Sequence, residues 1–205
     1  SVLEEEKMAD TSVLERNLQL GGGVIWVTGL AEAGKTTVVR ELVRQLWECG
    51  HQPIMLDGNE VREVLDMTSS YDREGRIRAA MTYARLSRML ARKGHMVIIA
   101  TISLFHEVQQ WNRRNQPGYV EVLLDVPLRE LKRRDTKGLY SCYDSRDIVG
   151  VGQVAEFPEA PDLVVPNYGE IDSKAAAALI REWCEDREVF SSPAYGKARV
   201  TAGPQ

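Results

Sequence analysis

Short runs of apolar residues alternate along the chain with longer stretches in which apolar residues recur every three or four positions. The short runs predict buried β-strands, and the longer stretches predict helices with one buried face. Strands are expected at 24–28, 53–57, 95–101, 119–125 and 161–165. Helices are expected at 35–49, 59–66, 72–93, 106–115, 127–135 and 172–190. Because the strands are apolar on both faces, we expect a three-layer α/β fold in which a parallel sheet of about five strands has helices on both faces.

One domain is expected over residues 22–190, with an N-terminal extension over 1–21 and a C-terminal tail over 191–205. The 205 residues, of which 43% are hydrophobic, suffice for one buried core. The sequence contains no internal repeat and no apolar run long enough to span a bilayer. We therefore expect neither a second domain nor a membrane partner.

Charge and cysteine content limit the kinds of ligand and the cellular location that are expected. The formal net charge is -4, which argues against binding to a nucleic acid polymer. Lysine and arginine are concentrated in local clusters, which suggests small anionic ligands. The three cysteines, Cys49, Cys142 and Cys184, lack the spacing of a metal or redox site. Scattered thiols are typical of the reducing cytoplasm, so a cytoplasmic location is expected.

The segment GLAEAGKTT, residues 29–37, directly follows the first predicted strand and leads into the first predicted helix. It contains the phosphate-loop pattern G-x-x-x-x-G-K-[ST] in the structural context which that pattern requires. Its glycines allow the backbone to wrap around phosphate oxygens, and the helix N-terminus adds the positive end of a dipole. Lys35 would reach the β- and γ-phosphates of ATP, and the Thr36 hydroxyl would coordinate Mg²⁺. The predicted phosphate-binding residues are Gly29, Leu30, Ala31, Glu32, Ala33, Gly34, Lys35, Thr36 and Thr37.

Further motifs resemble those of adenylylsulfate kinases in order and spacing. Besides the phosphate loop, the matching segments are LDGNEVR at 56–62, the stretch from GRIRAAM to ISLF at 75–105, VEVLLDVPLRELKRRDTKGLY at 120–140 and VGVGQVAEFPEAPDLVV at 149–165. The resemblance covers residues 22–166, and D-G-x-x-V-R, I-S-x-F and R-D-x-K-G-L-Y together are more specific than the loop alone. It implies a P-loop kinase, usually homodimeric, that uses ATP and Mg²⁺ to phosphorylate the 3′-hydroxyl of adenosine 5′-phosphosulfate.

The resemblance also implies roles for individual residues. The acceptor-side residues are Asp57, Arg62, Arg73, Arg76, Ile102, Ser103, Phe105, Lys137, Gly138 and Leu139, with Phe105 expected to stack on the acceptor base. Arg134 matches an arginine near the ATP adenine, and residues 136–150 match a lid over both nucleotides. Ser103 matches a serine sometimes described as a phospho-intermediate, although direct in-line transfer needs no enzyme nucleophile. The predicted catalytic set is Lys35, Asp57, Asn59, Glu32 and Ser103.

Most departures from the family pattern fall on the acceptor side. Asn59 replaces the carboxylate often assigned as general base, Arg76 replaces an asparagine that contacts the acceptor, and His106 replaces an arginine. On the ATP side, Ala31 and Glu32 replace serine and glycine. The segment ISLFHEVQQWNRRNQPGYVEV, residues 102–122, resembles a divergent branch of the family in which one activity is phosphorylation of cytidine diphosphoramidate. We therefore expect the acceptor to be either adenylylsulfate or a nucleotide that resembles it, such as cytidine diphosphoramidate, and favour the second.

Several alternatives stay open at the level of sequence. The phosphate loop could be a glycine-rich turn that binds nothing, and the chain could be a nucleotide-binding module that has lost catalysis and acts through a partner. The arginines could form a solvated helix face, and Phe105 could be a core residue. Glu32 could replace the missing acid at Asn59, as base or as a second-shell Mg²⁺ ligand. It could instead face solvent or Arg76, or one or both changes could be engineered to trap a complex.

Overall fold

The computed structural model describes residues 22–67, 71–140 and 149–190. The predicted N-terminal extension at 1–21, the tail at 191–205 and the part of the predicted lid at 141–148 lie outside the described residues.

The described residues form one parallel sheet of five strands, which confirms the predicted fold class. The strands are β1 (Gly23–Thr28), β2 (Ile54–Asp57), β3 (Met96–Ala100), β4 (Tyr119–Asp125) and β5 (Leu163–Pro166). Their order in the sheet is β2-β3-β1-β4-β5, and every neighbouring pair is parallel. The apolar runs of the sequence are strands because the sheet is buried on both faces.

Six helices in the described part of the chain cover the two faces of the sheet. They are α1 (Lys35–Glu48), α2 (Gly58–Val64), α3 (Arg73–Arg92), α4 (His106–Asn115), α5 (Leu128–Arg134) and α6 (Ser173–Asp186). Helices α1 and α4 start at the predicted residue, and the other four start one residue away from the predicted position. Side chains cap the starts of α2, α3 and α6. The carboxylate of Asp57 accepts the backbone N–H of Asn59, and that of Asp172 accepts the N–H of Ala175. None of these helices is both long and apolar enough to cross a membrane.

Side chains of β1 alternate between two apolar layers, so the core lies on both faces of the sheet. Ile25 and Val27 pack on the side of α1 and α6, with Leu42 of α1 among their neighbours. Val24 and Trp26 pack on the side of α3 and α4. This arrangement holds β1 rigidly at the centre of the sheet, and the loop that follows β1 is therefore fixed at its base.

The carboxyl ends of β1, β2 and β3 meet at one edge of the sheet. Asp57 of β2 is in register with Ala100 of β3, and Ala100 is in register with Val27 of β1. The strand order reverses around β1, whose neighbours are β3 on one side and β4 on the other. In open parallel sheets such a reversal opens a crevice at the carboxyl ends of the strands, where ligands bind.

Candidate active site

The backbone conformation of the loop between β1 and α1 requires glycine at two positions. Gly29 has φ +154° and Gly34 has φ +82°. A Cβ on Gly29 would lie 2.8 Å from the Leu124 carbonyl oxygen, and one on Gly34 would lie 2.5 Å from the side-chain nitrogen of Asn167. Glu32 lies between them with φ +59°, a left-handed conformation that is uncommon for a residue with a side chain. The loop is thus tightly folded, with Glu32 at its turn.

The Lys35 ammonium lies against its own loop. Its Nζ donates a hydrogen bond to the Leu30 carbonyl oxygen at 2.6 Å. Burial lowers the pKa of Lys35 to about 8, although the negative charges of Asp57 and Glu32 oppose that fall. A partly desolvated ammonium between two carboxylates is suited to meet phosphate oxygens, because its charge is poorly screened there.

The Asp57 carboxylate connects the phosphate loop to the end of β2. Thr36 donates its hydroxyl hydrogen to one carboxylate oxygen at 2.5 Å, and the backbone N–H of Asn59 donates to the other at 2.9 Å. The Asn59 residue is exposed and borders the same space. A hydroxyl and a carboxylate at this position are the oxygen donors that Mg²⁺ prefers. The described residues contain no cluster of three or more His, Cys, Asp or Glu that could hold a metal.

Asn167, directly after β5, anchors the phosphate loop from its other side. The side-chain amide of Asn167 donates to the Ala33 carbonyl oxygen at 2.8 Å, and the backbone carbonyl oxygen of Asn167 accepts from the Arg134 guanidinium at 2.6 Å. Glu130 fixes the same guanidinium through a hydrogen bond of 2.9 Å. The predicted ATP-side residue Arg134 is thereby held beside Gly34. Asn167 was missed at the level of sequence, although its position at the carboxyl end of a strand places it at the ligand edge.

The residues after β3 form a hydroxyl-rich part of the wall of the site. The Thr101 and Ser103 hydroxyls are 2.7 Å apart, and the Thr28 hydroxyl donates to the Ile102 carbonyl oxygen. Ser103 has φ +28°, which places its backbone in a strained region, and it is nearly buried. Its hydroxyl is therefore engaged with Thr101 in the wall of the site.

Phe105 borders the site from a nearly buried position. Its side chain is 2% exposed, and the Arg73 guanidinium lies 5.7 Å from the ring centroid. Arg73 is in turn paired with Glu156 at 2.5 Å, and the other Glu156 carboxylate oxygen accepts the His106 backbone N–H at 2.7 Å. Arg73 thus supports Phe105 rather than lining the open space. Glu156 was missed by sequence reasoning, because no local pattern marks its contact with Arg73.

The Tyr71 ring contacts two of the predicted acceptor-side arginines. The guanidinium groups of Arg62 and Arg76 lie 4.5 and 5.4 Å from its ring centroid. The Arg76 Nε also donates to the Tyr71 carbonyl oxygen at 2.8 Å, as does the side-chain amide of Gln153. Tyr71 is 56% exposed and was missed at the level of sequence. The only sequence signal is an aromatic residue just before the residue that caps α3.

These elements enclose one continuous cleft of about 450 Å³. Of the predicted site residues, its walls contain Ala31, Glu32, Gly34, Lys35, Thr36, Thr37, Asp57, Asn59, Arg62, Arg76, Ile102, Ser103, Phe105, Lys137 and Leu139. The other predicted site residues, Gly29, Leu30, Ala33, Arg73, Arg134 and Gly138, are not among the residues that line the cleft. Among the described residues, the charged residues of the wall are the cations Lys35, Arg62, Arg76 and Lys137 and the carboxylates Glu32 and Asp57. The excess of cations suits a ligand with several negative charges.

Comparison with known proteins identifies relatives that match most of the chain. Residues 21–166 match the family model described as adenylylsulphate kinase. The cytidine diphosphoramidate kinase of Campylobacter jejuni is 42% identical over 147 residues, which cover 70% of this chain and 85% of the relative. The adenylyl-sulfate kinase of Deinococcus deserti is 35% identical over 156 residues, covering 75% and 86%. A solved structure of the APS kinase of Mycobacterium tuberculosis with AMPPNP and APS has a TM-score of 0.72 at 27% identity and covers 80% of this chain and 98% of that one.

Proposed function

Because the chain belongs to the adenylylsulfate kinase family and is an ATP-dependent nucleotide kinase, we propose that it phosphorylates a ribose hydroxyl of a small activated nucleotide. The observation that carries this proposal is the single cleft, in which the phosphate loop and the acceptor-side arginines face the same space. Two nucleotides bound at its ends would bring γ-phosphate and hydroxyl together, as phosphoryl transfer requires.

Cytidine diphosphoramidate is the acceptor that we favour over adenylylsulfate. The relative named for that substrate is 42% identical to this chain, whereas adenylyl-sulfate kinases from three bacteria are 31–35% identical. The sequence also departs from the family pattern mainly at acceptor-side positions, at Asn59, Arg76 and His106. An acceptor other than adenylylsulfate accounts for both observations, because altered contacts at one end of the cleft leave ATP binding intact.

The residues of the cleft have distinct roles in this proposal. Backbone N–H groups of the phosphate loop and the Lys35 ammonium hold the β- and γ-phosphates of ATP. Arg62 and Arg76, oriented by Tyr71, hold the phosphate of the acceptor. Asp57 and Glu32 are the two carboxylates that the described residues contribute to the cleft wall, so they are the carboxylates proposed to interact with an acceptor hydroxyl.

Mg²⁺ is the metal that fits this donor set. The Thr36 hydroxyl and the Asp57 carboxylate would hold it together with ATP phosphates, where it would neutralise charge on the transferred group. The Ser103 hydroxyl would not act as a nucleophile, because it is nearly buried and hydrogen-bonded to Thr101.

A homodimer and a cytoplasmic location complete the proposal. The homodimer is supported by the resemblance to the family. The location is supported by the need for ATP and by Cys49 and Cys184, which are both free thiols. The alternative of a catalytically impaired binding module is not favoured, since the relatives are named as kinases.

Substitution of Lys35 tests the assignment of the phosphate loop. Lys35→Ala removes the cation that contacts the phosphates, so turnover should fall by a factor on the order of 10² to 10³ while circular dichroism stays unchanged. Lys93→Ala, at an exposed position just after α3, is the matched control and should retain full turnover. Unchanged turnover in Lys35→Ala would show that this loop does not hold ATP.

A further inference from the structure

The Asp135 carboxylate, directly after α5, is wrapped by the backbone that follows it. One of its oxygens accepts the Leu139 N–H at 2.9 Å, and the other accepts the Tyr140 N–H at 2.7 Å. The chain therefore turns back on itself between Asp135 and Tyr140. Gly138 has φ +70° within this turn, a conformation that favours glycine.

The turn holds a charged carboxylate rather than a neutral carboxyl group. Burial opposes ionisation of Asp135, but the backbone N–H groups of Tyr140, Leu139, Lys137 and Gly138 outweigh it and hold its pKa below the ordinary value. Convergent backbone N–H groups of this kind form a site for an anion, and here the protein supplies the anion itself. At neutral pH the ionised carboxylate can therefore accept hydrogen bonds from these N–H groups.

The far end of the same turn is attached to the phosphate loop. The Tyr140 hydroxyl donates a hydrogen bond to the Ala31 carbonyl oxygen at 2.8 Å, and the Tyr140 side chain is nearly buried. Leu139 and Lys137 both line the cleft. Lys137 is thus the exposed cation of a short segment that is fixed on both sides, by Asp135 and by the phosphate loop.

We propose that Asp135 is a positioning residue for phosphoryl transfer, because its carboxylate folds residues 137–140 into the turn that directs the Lys137 ammonium into the cleft. This inference rests on the proposed kinase function. An ammonium group in this position opposes the negative charge on the transferred phosphoryl group, and its effect depends on placement within about 1 Å. Without the carboxylate, four backbone N–H groups lose their common acceptor, and Lys137 loses its fixed position.

Hydrogen exchange tests the turn without reference to activity. In Asp135→Ala, the amides of Leu139 and Tyr140 should exchange at least about 10-fold faster than in the wild type, because they lose their acceptor. Asp172→Ala is the matched control, since Asp172 also accepts a nearby backbone N–H, that of Ala175 at 2.8 Å, but caps α6. That control should leave the exchange of Leu139 and Tyr140 unchanged. Unchanged exchange of these amides in Asp135→Ala would overturn the proposal.

A double-mutant cycle tests the link from Asp135 to Lys137. Asp135→Ala should lower kcat by about 10- to 100-fold, and the same change made in Lys137→Ala should cause no further loss. The kcat of Asp135→Asn should lie between those of the wild type and Asp135→Ala, because the asparagine carbonyl oxygen can still accept one of the two backbone N–H groups. Additive losses would overturn the positioning role. If the wild type phosphorylates no nucleotide, the proposed function fails, while the exchange experiment still decides whether Asp135 holds the turn.

Discussion

The Glu32 carboxylate acts on the Lys35 ammonium three residues later in the same loop. Burial lowers the pKa of Lys35 to about 8, and the charges of Asp57 and Glu32 limit that fall. This relationship explains how a loop that binds anions accommodates a carboxylate at its turn. Glu32 helps to keep Lys35 protonated, and the proposed role of Lys35 in holding phosphate requires that charge.

ATP affinity should therefore depend on pH through Lys35. The pKa of Lys35 in the folded protein lies below the ordinary value of 10.5, at about 8. The side chain is therefore charged below about pH 8 and loses its charge as the pH rises above that value. Calorimetric titration between pH 7 and 10 should show ATP binding weakening by about 10-fold per unit above the pKa. Glu32→Gln removes one of the charges that support the ammonium, so the fall should begin at a lower pH.

Lys35→Arg provides the control for this pH dependence, because a guanidinium stays protonated throughout the range. Its ATP affinity should be nearly independent of pH between 7 and 10. A fall that begins at the same or a higher pH in Glu32→Gln would contradict the proposed relationship between Glu32 and Lys35.

A second role for Glu32 follows from the amide at Asn59. Among the described residues, Glu32 and Asp57 are the carboxylates in the cleft wall, so Glu32 could supply the acid that Asn59 lacks. If it does, Glu32→Gln should slow transfer by about 10² to 10⁴-fold, the usual contribution of a general base. Asn59→Asp should then restore most of the rate in the Glu32→Gln background. Additive effects in single-turnover measurements, or faster transfer in Glu32→Gln alone, would exclude this exchange of roles.

Phe105 should affect the acceptor and not ATP. Phe105 borders the cleft, and we propose that its ring contacts the acceptor base, so Phe105→Ala should raise the acceptor KM by about 10-fold, the loss expected for one stacked base. Because Phe105 is only 2% exposed, Phe105→Ala also removes packing from the core. Phe105→Leu keeps most of the apolar volume but lacks an aromatic face, so it separates lost stacking from lost packing. If Phe105 stacks on the acceptor base, both variants should lose acceptor affinity. A fall in ATP affinity instead would mean that the two ends of the cleft are assigned in reverse.

The fold and the phosphate loop could be predicted from the sequence because their signals are local. A strand such as Val24–Thr28 is marked by its own apolar run, and Gly29 and Gly34 are marked by conformations that few other residues adopt. Likewise, the ends of β2 and β3 brought Asp57 and Ser103 to one edge, as parallel strands require. The predicted strands agree with the observed strands to within one or two residues at each end.

The supporting contacts could not be predicted, because they join residues that are distant in the chain. Glu156 meets Arg73 across 83 positions, and Asn167 meets Ala33 across 134. From the sequence, Arg73 was expected among the acceptor-side residues. Whether its guanidinium faces the cleft or pairs with the Glu156 carboxylate depends on packing, which the sequence does not show. Tyr71 illustrates the same limit, since only the fold brings Arg62 and Arg76 to its ring.

The most direct test of this account is a comparison of kcat/KM for cytidine diphosphoramidate and adenylylsulfate under the same ATP and Mg²⁺ concentrations, with CDP and CMP as controls. We expect ATP-dependent phosphorylation of cytidine diphosphoramidate to exceed that of adenylylsulfate by at least about 10-fold, a difference of about 1.4 kcal/mol in transition-state binding. Mass spectrometry should locate the new phosphate on a ribose hydroxyl. A preference for adenylylsulfate would contradict the proposed acceptor, and ATP binding without phosphorylation of any of the four nucleotides would contradict the account as a whole.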